Sequence, residues 1–375
     1  MGTREQLDEN LERCTRCPDM CAFACPEFFA SKKQTLLPSH KAHVGKLLLN
    51  GVLDPGPEEI ESLYQCIDCR LCKEWCMYDD IDLPDLLHQV RSIVIDNSGT
   101  DFLPTHVKSI KNNYERYGLP YDSSNRPQNE QTTKDLSEMR SDESDILFFA
   151  GCTTRFYQPE IGVASLKVLQ LMGVKAAFSM EKEPCCGRPL LDMGFSELAR
   201  QAGESTKAYI EESKCNLVLS NCPSCVFTLT ELLKQVNSDI RVMYLPEYLA
   251  QAVEDKKVNF INVNETKVTF DDDPYLARYI QKSEEPRKVL AAMPGIELVE
   301  MLYNKQIAHP GTCYFGLPDP VLEKVILSRR LEQANQTGVS TILTASPSCK
   351  RDLASLNGSD ARIIDLMEFF LELLA

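Results

Sequence analysis

Apolar positions in the first hundred residues recur at helical spacing. Leu86, Leu87, Val90, Ile93 and Val94 fall on one face of a segment that opens at Pro84 and is stopped by Asn97-Ser98-Gly99. Residues 1–98 therefore read as a helical domain. Residues 99–144 are polar, include Asp122-Ser123-Ser124-Asn125-Arg126-Pro127, and read as a linker with one helix over 107–117. From Asp145 the pattern changes. Ile146-Leu147-Phe148-Phe149 is a buried strand, 159–172 a helix ended by Gly173, 174–178 a strand, 195–210 a helix, 217–219 a strand and 226–235 a helix. Short apolar strands separated by helices predict a parallel α/β sheet.

The same succession returns further along the chain. Residues 145–152 align with Lys267-Val268-Thr269-Phe270-Asp271-Asp272-Asp273-Pro274, and Pro184-Cys185-Cys186-Gly187 aligns with Gly311-Thr312-Cys313-Tyr314. Residues 219–225 align with Leu343-Thr344-Ala345-Ser346-Pro347-Ser348-Cys349, and 244–249 with 365–370. The rest of the chain thus divides into two related α/β halves, 145–255 and 256–375. The stretch 363–374 has a broad apolar face, which suits core or a subunit contact better than a membrane surface because it also carries acidic residues.

Charge narrows the function. Among 375 residues, Lys plus Arg number 40 and Asp plus Glu 55, a net charge of −15, which argues against nucleic acid as a partner and is compatible with a basic face on a redox partner. No apolar run reaches the length of a membrane span. The first residues, Met1-Gly2-Thr3-Arg4-Glu5-Gln6, are charged and polar, without the pattern of a signal peptide or of myristoylation. The expected location is cytoplasmic, or peripheral at a membrane through a partner. Sixteen cysteines in such a chain point to metal or redox chemistry rather than disulfides.

Eight cysteines form two runs. Cys66, Cys69, Cys72 and Cys76 have the C-x2-C-x2-C-x3-C spacing of bacterial ferredoxins; Cys14, Cys17, Cys21 and Cys25, followed by Pro26, have one extra residue. Three thiolates on a tight loop can wrap one cubane, while the fourth, carried onward, points at the other. The expected sets are Cys14, Cys17, Cys21 and Cys76 for one [4Fe–4S] cluster and Cys66, Cys69, Cys72 and Cys25 for the other. Two zinc sites are the alternative, though zinc needs only four thiolates from two pairs. Trp75, inside the second run, reads as packing that shields a cluster rather than as an electron relay.

Five more cysteines follow as C-x32-C-C-G and then C-P-S-C: Cys152, Cys185, Cys186, Cys222 and Cys225. Cys152 and Cys222 each follow a predicted strand, so they converge at the carboxyl edge of a parallel sheet, where such folds bind ligands. Five thiolates exceed the need of one zinc, and neighbouring Cys185 and Cys186 can contact different metal atoms, which favours a polynuclear site. Zinc with a spare thiol, or a redox dithiol at Cys222 and Cys225, are the alternatives. Cys215 lies outside the pattern and reads as core.

With these motifs the whole chain resembles the family in which a dicluster ferredoxin domain precedes two cysteine-rich "CCG" domains. That family includes heterodisulfide reductase catalytic subunits and the iron–sulfur subunits of glycolate oxidase and anaerobic glycerol-3-phosphate dehydrogenase. The resemblance implies an α+β multidomain chain: an α-helical dicluster domain followed by two Rossmann-like α/β halves. It also implies a third, non-cubane [4Fe–4S] cluster on Cys152, Cys185, Cys186, Cys222 and Cys225. The second half departs from the family, holding Pro274, Thr312, Cys313, Ser346 and Cys349 at the five positions. Two thiols cannot hold a four-iron cluster, so this half is degenerate. It is a scaffold, or a mononuclear zinc site in which Cys313 and Cys349 join His309 or one of Asp271, Asp272 and Asp273.

Three functions compete. The first is an electron-transfer subunit working with a flavoprotein dehydrogenase and a quinone-linked or other acceptor. The second is a disulfide reductase acting at the CCG cysteines, and the third a zinc-stabilised interaction protein. No phosphate loop, GxGxxG or Ser-His-Asp arrangement is present, so no intrinsic flavin or nucleotide site is expected.

Overall fold

The computed structural model describes residues 3–122, 130–139, 141, 144–236, 238–261, 265–356 and 361–374. Residues 123–127 of the polar stretch in the expected linker lie outside the described residues.

The N-terminal region is helical. Helices Arg4–Thr15, Pro38–Leu49 and Leu83–Ser98 pack around Leu7, Leu11, Ala42, Leu48, Leu87 and Val90. Thr3 Oγ1 accepts from Gln6 N at 3.2 Å and caps the first helix. Pro84 opens the third, and Gly99, with φ +79°, ends it. Gly45 lets two of these helices meet closely, since a Cβ there would already touch Val90 at 3.5 Å. Helix Thr105–Tyr117 adds Val107 and Ile110 to the same core, as do Leu190, Met193 and Phe195 from the following region. Gly194 marks that junction, because a Cβ there would lie 2.6 Å from the Arg91 side chain.

Two parallel sheets follow. The first has the order Ile146–Phe148, Leu217–Ser220, Arg241–Tyr244; the second has Ile296–Leu298, Thr266–Asp271, Thr341–Thr344, Arg362–Asp365. The succession repeats: a strand and then a helix beginning at Pro223 or Pro347, and a last strand running straight into helix Leu245–Glu254 or Leu366–Leu373. Phe148, Leu219 and Tyr244 share one buried apolar cluster with Phe270, Leu343 and Ile364, so the two sheets have a common core. The C-terminal helix buries Leu366, Met367, Phe369, Phe370 and Leu373 in it and is held by a capping box of Asp365 and Glu368.

The strand expected at 174–178 is reduced to single bridges. Ala177 pairs with Leu147 and Phe178 with Ser141, and the Ala177 amide donates to Ile146 O at 2.7 Å. Its counterpart in the second half, Ile296–Leu298, is a full edge strand. The turn at Gly173 (φ +73°) leaves this segment only a short passage alongside Ile146–Phe148. The second half also contains a π-helix, Tyr275–Tyr279, which no periodicity in the sequence foretold. Among the described residues no helix is long and apolar enough to cross a membrane.

Candidate metal centres

The thirteen cysteines of the three motifs come together in three groups. Cys14 closes the first helix and Cys17 and Cys21 follow on a loop that turns at Asp19 (φ +55°). These three line one cavity with Cys76 from the second run, together with Asp19, Trp75 and Met77. Burial, together with Cys21, Cys76 and Cys17, pushes the Cys14 thiol up, and burial pushes Cys21 up to about 12. Trp75 packs edge-on against Phe23 at 4.9 Å and covers this first group; it remains 43 % exposed.

Cys66, Cys69 and Cys72 lie on a loop bent by left-handed residues Asp68 (φ +55°) and Arg70 (φ +57°), and Cys25 joins them. Burial raises the Cys72 thiol, and Cys21 of the first group, then Cys69, Cys66 and Cys25, raise it further. Two charged residues that sequence reasoning missed complete this second group. Lys41 is 1 % exposed and Glu27 2 %, with Lys41 Nζ 3.5 Å from Glu27 Oε2. Glu27 Oε1 accepts from the Ile67 amide at 2.8 Å, and Oε2 from the Cys25 thiol at 2.9 Å. Burial opposes the Lys41 charge, but Cys25, Glu27, Cys66 and Cys72 together hold its pKa above the usual lysine value. The detectable signal was a lysine on the buried face of helix Pro38–Leu49, a place lysines occupy only when paired.

The third group sits at the carboxyl edge of the first sheet. Cys152 begins helix Cys152–Tyr157, just after Gly151. Cys222 follows strand Leu217–Ser220, and Cys225 lies in the first turn of helix Pro223–Gln235. Cys225 Sγ approaches Cys186 Sγ at 3.6 Å. Cys185 contacts the thiols of Cys152 and Cys186, and Cys225 those of Cys186 and Cys222, so five sulfurs form one contiguous set. They are 2–7 % exposed. Hydrogen bonds from Cys185 and Cys225, aided by the Arg188 guanidinium, hold Cys186 well below the usual thiol value; bonds with Cys152 and then Cys186 raise Cys185, and bonds with Cys186 and then Cys222 raise Cys225. The preceding loop is fixed by Glu183, whose carboxylate accepts from the Ala150 and Gly151 amides, both at 2.8 Å. Cys215 stays apart, donating to Ser144 O at 3.0 Å inside the core.

The second half does not assemble the mononuclear site considered for it. Cys313 packs with Ala24, Ile67 and Cys69, towards the second N-terminal group. Cys349 Sγ instead lies 3.5 Å from Asp273 Oδ2. Asp271 is paired with Arg330 at 2.5 Å, Asp272 with Arg287 at 2.8 Å, and His309 is held by Gln333 and stacked on Tyr303. The remaining carboxylate, Asp273, accepts from Ser346 Oγ at 2.8 Å. These pairings engage each of the candidate side chains His309, Asp271, Asp272 and Asp273 with another residue of the same half.

Among the described residues, Asp68, His88 and Asp192 are the one group of three whose ligand atoms all lie within 4.8 Å of one another. Arg188 lies 2.6 Å from Asp192 and Arg91 3.5 Å from Asp68, so two guanidinium ions already supply the positive charge a metal would bring.

Buried and half-buried cysteines gathered in sets of four, four and five suit a polynuclear iron–sulfur group. Its cations allow the thiols to ionise where solvent does not. Comparison with known proteins agrees. Residues 10–79 match the 4Fe-4S dicluster domain, and residues 146–230 and 275–354 both match the cysteine-rich domain designated CCG. The chain is an iron–sulfur protein of the dicluster–CCG kind. It is 26 % identical over 400 residues to a dihydromethanophenazine:CoB–CoM heterodisulfide reductase subunit from Methanosarcina barkeri, covering 100 % of this chain and 95 % of that one. It is 22 % identical to the probable glycolate oxidase iron-sulfur subunit of Bacillus subtilis, over 92 % of this chain and 89 % of the relative. The EtfAB:quinone oxidoreductase of Syntrophomonas wolfei is 23 % identical over 93 % of this chain and 55 % of its own length. The second CCG match begins at Tyr275, after the position where the first carries Cys152, so the CCG pattern persists in the half that has lost ligands.

Proposed function

We propose that this dicluster–CCG chain is the electron-relay subunit of a multi-subunit oxidoreductase. It would hold two [4Fe–4S] cubanes and a third [4Fe–4S] group of non-cubane type. The observation that carries this reading is the gathering of Cys14, Cys17 and Cys21 with Cys76 of the second run around one cavity, beside a separate set of five sulfurs. Cys14, Cys17, Cys21 and Cys76 would hold the first group; Cys25, Cys66, Cys69 and Cys72 the second; and Cys152, Cys185, Cys186, Cys222 and Cys225 the third. The boundaries that follow are 1–98 for the dicluster domain, 99–144 for the connection, and 145–255 and 256–375 for two Rossmann-like CCG halves, the second degenerate.

When bound, such clusters supply one-electron chemistry at potentials tuned by burial, charge and hydrogen bonds. The chain's own groups provide that tuning. Lys41 places a buried positive charge beside the second group, and Arg188 places one beside Cys186. Trp75 limits water at the first group. Glu183, whose Oε1 lies 3.4 Å from Arg155 Nη1, fixes the loop that presents Cys152. Relay is favoured over disulfide reduction because the second half lacks the five-cysteine set of the first, holding Pro274, Thr312, Cys313, Ser346 and Cys349 at those positions. The relatives named as subunits or as a quinone oxidoreductase support a flavoprotein donor and a quinone-linked or other acceptor in the same complex.

Iron, sulfide and zinc analysis of anaerobically purified protein, with EPR after oxidation and reduction, tests this function. About twelve irons per chain are expected, falling to about eight in Cys185→Ser with two signals kept. Zinc in place of iron at the N-terminal groups, with no visible absorbance, would refute it.

A further inference from the structure

We propose that the second CCG half, having lost its own ligand set, supplies the contact path between the second and third thiol groups: the stacked Tyr275–Tyr279 pair, with Phe227 against it. This rests on the relay reading and assigns the residues that join its centres.

On one side the π-helix Tyr275–Tyr279 touches the loop that carries Cys66, Cys69 and Cys72. Tyr279 donates its hydroxyl to Asp68 O at 2.7 Å, and Arg278 donates to Cys69 O. Tyr279 stacks on Tyr275 with ring centroids 4.0 Å apart and an interplanar angle of 22°. On the other side Phe227 meets Tyr279 edge-on at 5.0 Å. Phe227 lies two residues beyond Cys225 on the same helix, Pro223–Gln235. Arg188, two residues beyond Cys186, lies 5.2 Å from the Tyr275 ring and 5.4 Å from Phe227, and Arg70 covers Tyr279 at 3.6 Å. From the peptide between Cys66 and Cys69 of one group to the helix bearing Cys225 of the other, no step is wider than one hydrogen bond or one ring contact. The Tyr275 hydroxyl also donates to Asp192 at 3.3 Å, which fixes the stack in place.

The rings are held between two guanidinium ions, a favourable cation–π arrangement that also sets positive charge at each end of the path. π-helical turns are rare and occur mostly at functional sites, which singles out the segment. The electron count is simple. One electron leaves the reduced second centre and arrives at the third, no bond forms or breaks, and the reductant is the partner or, in the test, dithionite. Tyr275, Tyr279 and Phe227 are positioning residues that close the gap; they are not themselves oxidised.

The experiment mixes the anaerobic full-length protein with less than one equivalent of dithionite and follows each centre by freeze-quench EPR. Potentials come from a parallel redox titration. Tyr279→Leu opens a gap one ring wide and is expected to slow equilibration between the second and third centres on the order of tenfold. Tyr279→Phe keeps the ring and is expected to stay near the parent rate. All cluster signals and potentials should remain, which separates a lost path from a merely structural defect. Should Tyr279→Leu fail to retain its clusters, Phe227→Leu, altered on the opposite side of the contact, carries the same expectation. Unchanged equilibration in a variant that retains all three signals would overturn the proposal. Absence of the third signal from the parent protein would instead overturn the relay reading itself.

Discussion

Gly151→Ala tests the third centre with a single methyl group. Gly151 has φ +79° and ψ 159°, a region that only glycine occupies without strain. Forcing alanine there costs about 1–3 kcal/mol, against a gain of about 0.4–1 kcal/mol from the stiffer unfolded chain. The net loss is thus on the order of 1–2 kcal/mol, survivable for a protein of this size. The local effect is larger than this figure suggests. The new Cβ would lie 3.0 Å from Cys225 Sγ and 3.4 Å from Cys222 Cβ, so the two sulfur-bearing residues must give way by several tenths of an ångström. Neighbours cannot absorb that shift, because Glu183 pins the Ala150 and Gly151 amides and Cys225 already touches Cys186. The expected outcome is a folded protein with about eight irons in place of about twelve, with both N-terminal EPR signals intact. A variant that keeps its full iron content and the third signal would refute the claim that Gly151 is required for the sulfurs to converge.

Two other perturbations probe charge. Lys41→Met leaves Glu27 and the thiolate ligands without their buried cation; breaking such a pair costs about 3–5 kcal/mol, so iron should be lost from the second group first, with part of the loss restored in Lys41→Met/Glu27→Gln. Iron counts and EPR of the single and double variants check this, and an undisturbed second signal in the single variant would contradict it. The pH dependence of His309 is the other. Burial, and then Arg329, Arg330 and Arg278, lower its folded pKa to about 3 from an ordinary 6.5. The unfolded chain therefore takes up a proton that the folded chain refuses, and stability falls as pH drops below 6.5, by at most about 1.4 kcal/mol per pH unit. Denaturant midpoints between pH 6.5 and 4.5 should fall less in His309→Gln than in the parent, and parallel curves would show that His309 titrates alike in both states.

Much of this site was legible because cysteine spacing is a geometric constraint. Eight thiols in two runs led to the expectation that each run lends its fourth member to the other, and strand-then-Cys at 152 and 222 to the sheet edge at which those two residues lie. The parallel sheets and the repeat followed from apolar runs with prolines opening the helices. What stayed hidden depends on partners far apart in sequence. Lys41 and Glu27 carry no motif, and only folding brings them together against Cys25. The edge strand at 174–178 failed because β-propensity says nothing about how long a neighbour is available to pair with. Strand Arg241–Tyr244 was not anticipated, because with Arg241 exposed and Val242 and Met243 half-buried it lacks the apolar run that marked the other strands. The π-helix at 275–279 has no signature in a 3.6-residue period, and the tyrosines it presents look like ordinary core.

Why the second half should keep its fold after losing cluster ligands follows from Asp273. A carboxylate this deeply buried is pushed towards neutrality and needs donors on both oxygens. It has them: Ser346 at 2.8 Å, the Tyr275 amide at 2.6 Å, the Leu276 amide at 3.1 Å and the Tyr314 hydroxyl at 3.3 Å. Ser346 and Cys349 occupy positions that are cysteines in the first half, and Tyr314 stands where the first has Gly187. The polar network thus fills the space of a ligand set with hydroxyl groups converging on one carboxylate. Two of its bonds go to the opening amides of the π-helix, so the group that replaces the lost ligands is also the one that sets the start of the segment bearing Tyr275 and Tyr279. The residues at the cysteine positions and the placement of the tyrosines are thus tied to one carboxylate.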